Sequence, residues 1–172
     1  MSAIGSAAMK VAISGAATAI VLYRTRQLPR EQMGFVRPPT GQSLLLVAIY
    51  LAWMLGTNAL LGWRGPWDWQ PWIEAPLIAS AMRVLAVCVL GPTVEELIFR
   101  GWLFGWLQPR IGAAITIGVT AASWAVLHYS YGWQVILVIL VDGILLGVAR
   151  WRTRSVITPI IMHMLYNLYA IW

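Results

Sequence analysis

Three ionisable side chains, Glu95, Glu96 and Arg100, stand together inside an apolar run from about Pro76 to Leu107. Even lenient insertion scales charge each of them ~2.5–3.5 kcal/mol at the centre of a membrane helix. An ionisable cluster at that depth reads first as a functional site whose partners lie elsewhere in the bundle. On a helix, residues four apart are neighbours and adjacent residues diverge. Glu96 and Arg100 are therefore expected to pair, which lowers the cost of burying both. Glu95 is left to face a cavity. The plainer alternative is a structural knot in which both glutamates only neutralise Arg100.

The candidate partners are few. The chain has two histidines, His128 and His163, both in or at the end of apolar runs. Asn167 follows His163 by four, so the two share a face inside the last apolar run. If the chain turns near Pro109-Arg110, Glu95 and His128 both lie ~22–27 Å from that turn and match in depth. His163 matches them if the turn projects beyond the membrane by ~10 Å, at the same rise per residue. A carboxylate, two imidazoles and an amide suit hydrolysis. Glu95 would act on water as general base with His128 sharing the proton work. His163 and Asn167 would polarise a carbonyl or hold an oxyanion. Glu95, His128 and His163 also form a fair donor set for zinc or another divalent cation, with a place left for water. The residues leave both readings open. No Gly-rich phosphate loop and no plausibly spaced Ser-His-Asp set offers a different chemistry.

The elements that must position these groups are membrane helices. Of 172 residues, 60% are hydrophobic and 10% charged, with a mean hydropathy of +0.73. Soluble domains are ~45–50% apolar and ~25% charged. The expected fold is all-α: a polytopic transmembrane bundle of about six spans. The net charge of +6 does not imply nucleic-acid binding, because the basic residues gather in two short loops between apolar runs. That is the positive-inside pattern of cytoplasmic loops. Cys88 is the only cysteine; it can form neither an intrachain disulfide nor a thiolate cluster, and reads as core.

In order, Ala3–Tyr23 is a marginal first helix, interrupted by Lys10. Arg24 to Gln42 is a basic, proline-bearing loop. Ser43–Trp63 is a charge-free span. Gly65–Pro71 is a turn on the outer face, bracketed by Trp63, Trp67, Trp69 and Trp72 as interfacial belt residues. The third helix begins near Pro76, meets Pro92 where a kink is expected, and ends at Pro109-Arg110. Ile111–His128, Trp133–Ala149 and Val156–Trp172 complete the set, with Arg150, Arg152 and Arg154 making the second basic loop. With both basic loops cytoplasmic, six spans put both termini outside. Asp142, within the fifth run, is expected to be a polar contact inside the bundle.

Glu95-Glu96-x-x-x-Arg100 resembles the first signature of the CPBP family of intramembrane proteases, which includes the type II CAAX prenyl endopeptidases and the Abi bacteriocin-immunity proteins. Trp124-Ala-Val-Leu-His128 is similar to its Phe-x-x-x-His signature, with Trp in place of Phe. His163-Met-Leu-Tyr-Asn167 is similar to its His-x-x-x-Asn/Asp signature. The resemblance covers residues 76–170. It implies a membrane-embedded endopeptidase with Glu95, His128, His163 and Asn167 catalytic and Glu96 and Arg100 supporting. The mechanism is then either metal-dependent or a metal-free glutamate one. Trp124 is expected to change packing rather than chemistry. Residues 1–75 form N-terminal helices and a basic loop, and residues 76–172 a CPBP-like catalytic core. The expected partners are membrane lipid and a peptide or protein substrate that can be lipidated, with no nucleic acid. The expected place is a bacterial cell membrane. Two other function classes remain: a non-enzymatic membrane immunity or scaffold protein, and a small transporter or proton relay using Asp142 and the glutamates.

Overall fold

A computed structural model describes residues 2–62 and 73–171. The expected Gly65–Pro71 turn and Trp63, Trp67, Trp69 and Trp72 lie outside the described residues. Among those described there are seven helices: α1 (Ala3–Thr25), α2 (Arg30–Met33), α3 (Thr40–Leu61), α4 (Leu77–Ile111), α5 (Ala113–Val126), α6 (Trp133–Thr153) and α7 (Ile157–Ile171). A single 3₁₀ turn, Tyr129–Tyr131, joins α5 to α6. Four of these helices, α1, α3, α4 and α6, are long and apolar enough to cross a membrane. The apolar α5 and α7 are shorter. The chain is an all-α membrane helix bundle. Its outward side chains suit lipid: Leu60 and Leu77 are each 86% exposed, and lipid tails are as apolar as leucine.

Several helix boundaries differ from the expectation. Arg150 and Arg152 do not lie in a loop: α6 runs past Ala149 to Thr153 and carries both in its last turn, leaving Arg154 as its cap. The first run is one continuous helix of 23 residues despite Lys10, so α1 has the length of a span. The long third helix does not stop at Pro109-Arg110. It continues to Ile111 and ends at Gly112, whose φ of 77° is a conformation that glycine reaches without penalty.

Pro92 does not end α4, and the helix changes its winding on either side of it. Leu85–Leu90 and Leu97–Leu103 are π-helical, flanking the α-helical turn Gly91–Glu96. The Gly91 amide reaches back five residues to the Ala86 carbonyl. In that register the next donor, residue 92, would serve the Val87 carbonyl, but proline has no N–H. Asn167 of α7 fills the vacancy, its Nδ2 donating to Val87 O at 2.8 Å. π-Turns inside α-helices are frequent at functional sites. Here one follows directly on the Glu95-Glu96 pair.

Small residues bring the helices close. A Cβ on Gly143 of α6 would come 2.9 Å from Ala121 Cβ of α5, and one on Gly147 3.1 Å from Ile117. Close backbone approach at small residues is how membrane helices associate without a hydrophobic driving force. The interior is completed by Tyr50, Phe99, Trp124, Leu146, Ala149 and Met162.

Candidate active site

The α-helical turn Gly91–Glu96, between the two π-wound stretches of α4, delivers its two glutamates in different directions. Glu96 and Arg100, both fully buried, pair through Glu96 Oε1 and Arg100 Nη1 at 2.9 Å. Arg100 Nη2 also donates to the Gly143 carbonyl at 3.0 Å. The same Glu96 oxygen accepts from His163 Nδ1 of α7 at 3.0 Å. Glu96 Oε2 and Arg100 Nε are buried with no partner among the described residues.

Glu95 faces a cavity of about 250 Å³ lined also by His128, His163 and Asn167. All four side chains expected from the sequence to work together thus line one cavity, contributed by α4, the turn after α5, and α7. Tyr50, Trp124, Tyr131, Asp142 and Tyr166 line the same space. A terminal imidazole nitrogen that meets a carbonyl or carboxylate must donate to it. His128 Nδ1 donates to Trp124 O at 2.9 Å and His163 Nδ1 to Glu96. Each ring therefore keeps Nε2 for the cavity.

Trp124 does more than pack. Its indole Nε1 donates to Glu95 Oε2 at 2.7 Å. Its ring stands edge-on to His128 and to His163, at centroid distances of 5.2 and 5.1 Å, and lies 5.0 Å from the Arg100 guanidinium carbon. The expectation that this position affects packing alone is corrected: a phenylalanine here could not orient the carboxylate.

Asp142 is a bundle contact, as expected, but it also lines the cavity. Trp53 of α3 donates its indole N–H to Asp142 Oδ1 at 2.8 Å. Two signals pointed to this pair. Asp142 is an ionisable residue inside an apolar helix, the criterion that singled out Glu95. Trp53 sits in mid-span, away from the interfacial belts where tryptophan concentrates, and a buried indole N–H needs a partner. Tyr50, Tyr131 and Tyr166 carried no such mark. At Tyr131, in the turn between α5 and α6, burial first and the Glu95 charge second push the phenol above its ordinary 10.0.

The donor types for zinc are present, but their placement does not suit it. Among the described residues no group of three or more His, Cys, Asp and Glu side chains is placed to hold a metal ion. One oxygen of Glu95 and Nδ1 of each histidine are turned to protein partners, which leaves the other Glu95 oxygen and both Nε2 atoms as donors.

A model of the type II CAAX prenyl endopeptidase Rce1-like family matches residues 77–169, more than half of the chain. The chain belongs to this family. The match begins with α4 and runs nearly to the end of α7, so it contains every cavity-lining residue named above except Tyr50. The Rce1-like family is a family of CAAX-type intramembrane proteases, and the chain is an integral membrane protein. No curated protein and no solved structure matches the chain.

Proposed function

We propose that the chain is an intramembrane endopeptidase in which Glu95 activates water. The observation that carries this is the meeting of Glu95, His128, His163 and Asn167 on one cavity in a chain of a protease family. Peptide hydrolysis needs a base to take a proton from water, an acid to return one to the leaving amine, and donors aimed at the carbonyl oxygen. Glu95 is the base, oriented by the Trp124 indole. His128 Nε2 faces the same cavity and carries the proton onward. The second amide hydrogen of Asn167 remains for the substrate carbonyl, since Val87 takes one of the two. His163 offers Nε2; when that nitrogen is protonated, the Glu96 carboxylate balances the imidazolium charge. Glu96 and Arg100 hold His163 rather than touching substrate.

The metal-dependent alternative would need Glu95, His128 and His163 to converge on one point, so no step here is routed through a metal. Lipidated CAAX-type peptides are the first substrates to try. The deciding experiment is cleavage of such a peptide, or of a membrane reporter, by purified protein in liposomes. Glu95→Gln and His163→Ala should lose cleavage while remaining folded. Cleavage at the wild-type rate by both would overturn the proposal.

A further inference from the structure

The catalytic cavity lies toward one end of the bundle, and most of the arginines gather at the other. The last turns of α1, α4 and α6 and the connections that follow them carry Arg24, Arg26, Arg30, Arg37, Arg110, Arg150, Arg152 and Arg154 against Glu31. The connection from α3 to α4 carries Arg64 against Asp68 and Glu74, and the turn from α5 to α6 has no Lys, Arg, Asp or Glu. An excess of Lys and Arg in short loops marks the cytoplasmic side.

That side is sealed. Arg150, only 6% exposed, donates through Nε to the Arg100 carbonyl at 2.8 Å and through Nη2 to the Gln32 carbonyl at 3.0 Å. It thereby pins α2 and its flanks under the Glu96–Arg100 pair. Gly105 of α4 lets the same segment in, since a Cβ there would come 2.1 Å from Gln32 O. Val156 N–H donates to Gly34 O at 2.9 Å, and the Ser155 hydroxyl to Val36 O at 2.8 Å. A second cavity on this side reaches Arg150, and among the described residues it shares no lining residue with the catalytic one. From Glu95 the catalytic cavity instead extends along α4 toward Ala86 and Val87, and along α5 to His128 and Tyr131. Those residues lie toward the arginine-poor end.

We propose that substrate reaches Glu95 from the non-cytoplasmic face, past His128 and Tyr131. The substrate class is then polypeptide on that side of the bilayer, including the outer ends of membrane segments, rather than cytoplasmic protein tails. The inference rests on the proteolytic reading above for its substrate, but its geometry can be tested separately.

In a Cys88→Ala background, Ser130→Cys and Gln134→Cys place thiols on or just after the α5–α6 turn, and Arg152→Cys places one at the end of α6. In intact cells a membrane-impermeant maleimide should label the first two and leave Arg152→Cys unlabelled until the cells are permeabilised. The reverse pattern, or equal labelling of both ends, would overturn the inference. In sealed vesicles whose orientation is fixed by that labelling, one reporter peptide is tethered on either face. Cleavage confined to the arginine-poor face and lost in Glu95→Gln is the expected result. Cleavage confined to the arginine-rich face would overturn the access route. Absence of cleavage on both faces would sink the proteolytic reading and with it the substrate, while the labelling still decides which end of the bundle faces the cytoplasm.

Discussion

Glu96 holds His163 across the bundle: the Nδ1–H of His163 in α7 donates to Glu96 Oε1 in α4 at 3.0 Å, and that oxygen also takes Arg100 at 2.9 Å. The two glutamates of the motif therefore have separable duties, and variants should separate them. Glu96→Ala would leave Arg100 buried without its counter-charge, a loss of about 3–5 kcal/mol. Thermal unfolding in detergent should show that loss. Glu95→Gln, at a half-buried position, should unfold within a few degrees of wild type while cleaving nothing. Equal destabilisation by both would return the pair to a structural knot.

Trp124→Phe keeps the ring and removes the donor to Glu95. A hydrogen bond to a charged group contributes about 1.5–3 kcal/mol, so if the bond is made in the transition state, cleavage should fall by roughly ten- to a hundred-fold. Substrate binding, measured with a non-cleavable peptide, should barely move. An unchanged rate would reduce Trp124 to packing.

Asn167 has two tasks that a second substitution can pull apart. Asn167→Ala should cost about 1–3 kcal/mol, because the Val87 carbonyl is left unsatisfied. Adding Pro92→Ala supplies a backbone N–H where proline has none, and should recover part of that stability. Activity should not return, since the amide that meets substrate is still missing. Recovery of both would make Asn167 purely structural.

Arg150→Ala removes the donors that fasten residues 31 and 32 to α4. Trypsin should then cut faster after Arg30 in inside-out vesicles, where that bond is exposed to the protease. Unchanged digestion would mean that the close fit at Gly105 holds the segment by itself.

A strong chelator should leave the cleavage rate unchanged, because Glu95, His128 and His163 are not gathered as ligands. Activity lost on chelation and restored by added zinc would show that the three converge in the working enzyme.

Much of this was legible before any coordinates. Spacing along one helix foretold the Glu96–Arg100 pair, since four residues on is a neighbour regardless of tertiary context. The apolar runs foretold the helices, to within a few residues at most ends. The cross-helix bonds were not legible. Which face of α7 meets Glu96, and that Trp124 turns its N–H to Glu95, depend on how each helix is rotated about its axis. In a chain apolar on nearly every side, hydrophobic patterning does not set that rotation. The change of winding around Pro92 was hidden for a related reason. Proline signals a lost hydrogen bond, but whether the helix kinks, widens or recruits a side chain is decided by its neighbours.

The bond from Trp53 to Asp142 has a consequence for where this enzyme can be divided. Trp53 and Tyr50 belong to α3, before the family-matched segment begins at residue 77. A chain shortened to that segment would turn a carboxylate, 1% exposed in the whole protein, toward hydrocarbon without its indole donor. The matched segment is thus an incomplete vessel, and a fragment carrying every motif residue would still lack one wall.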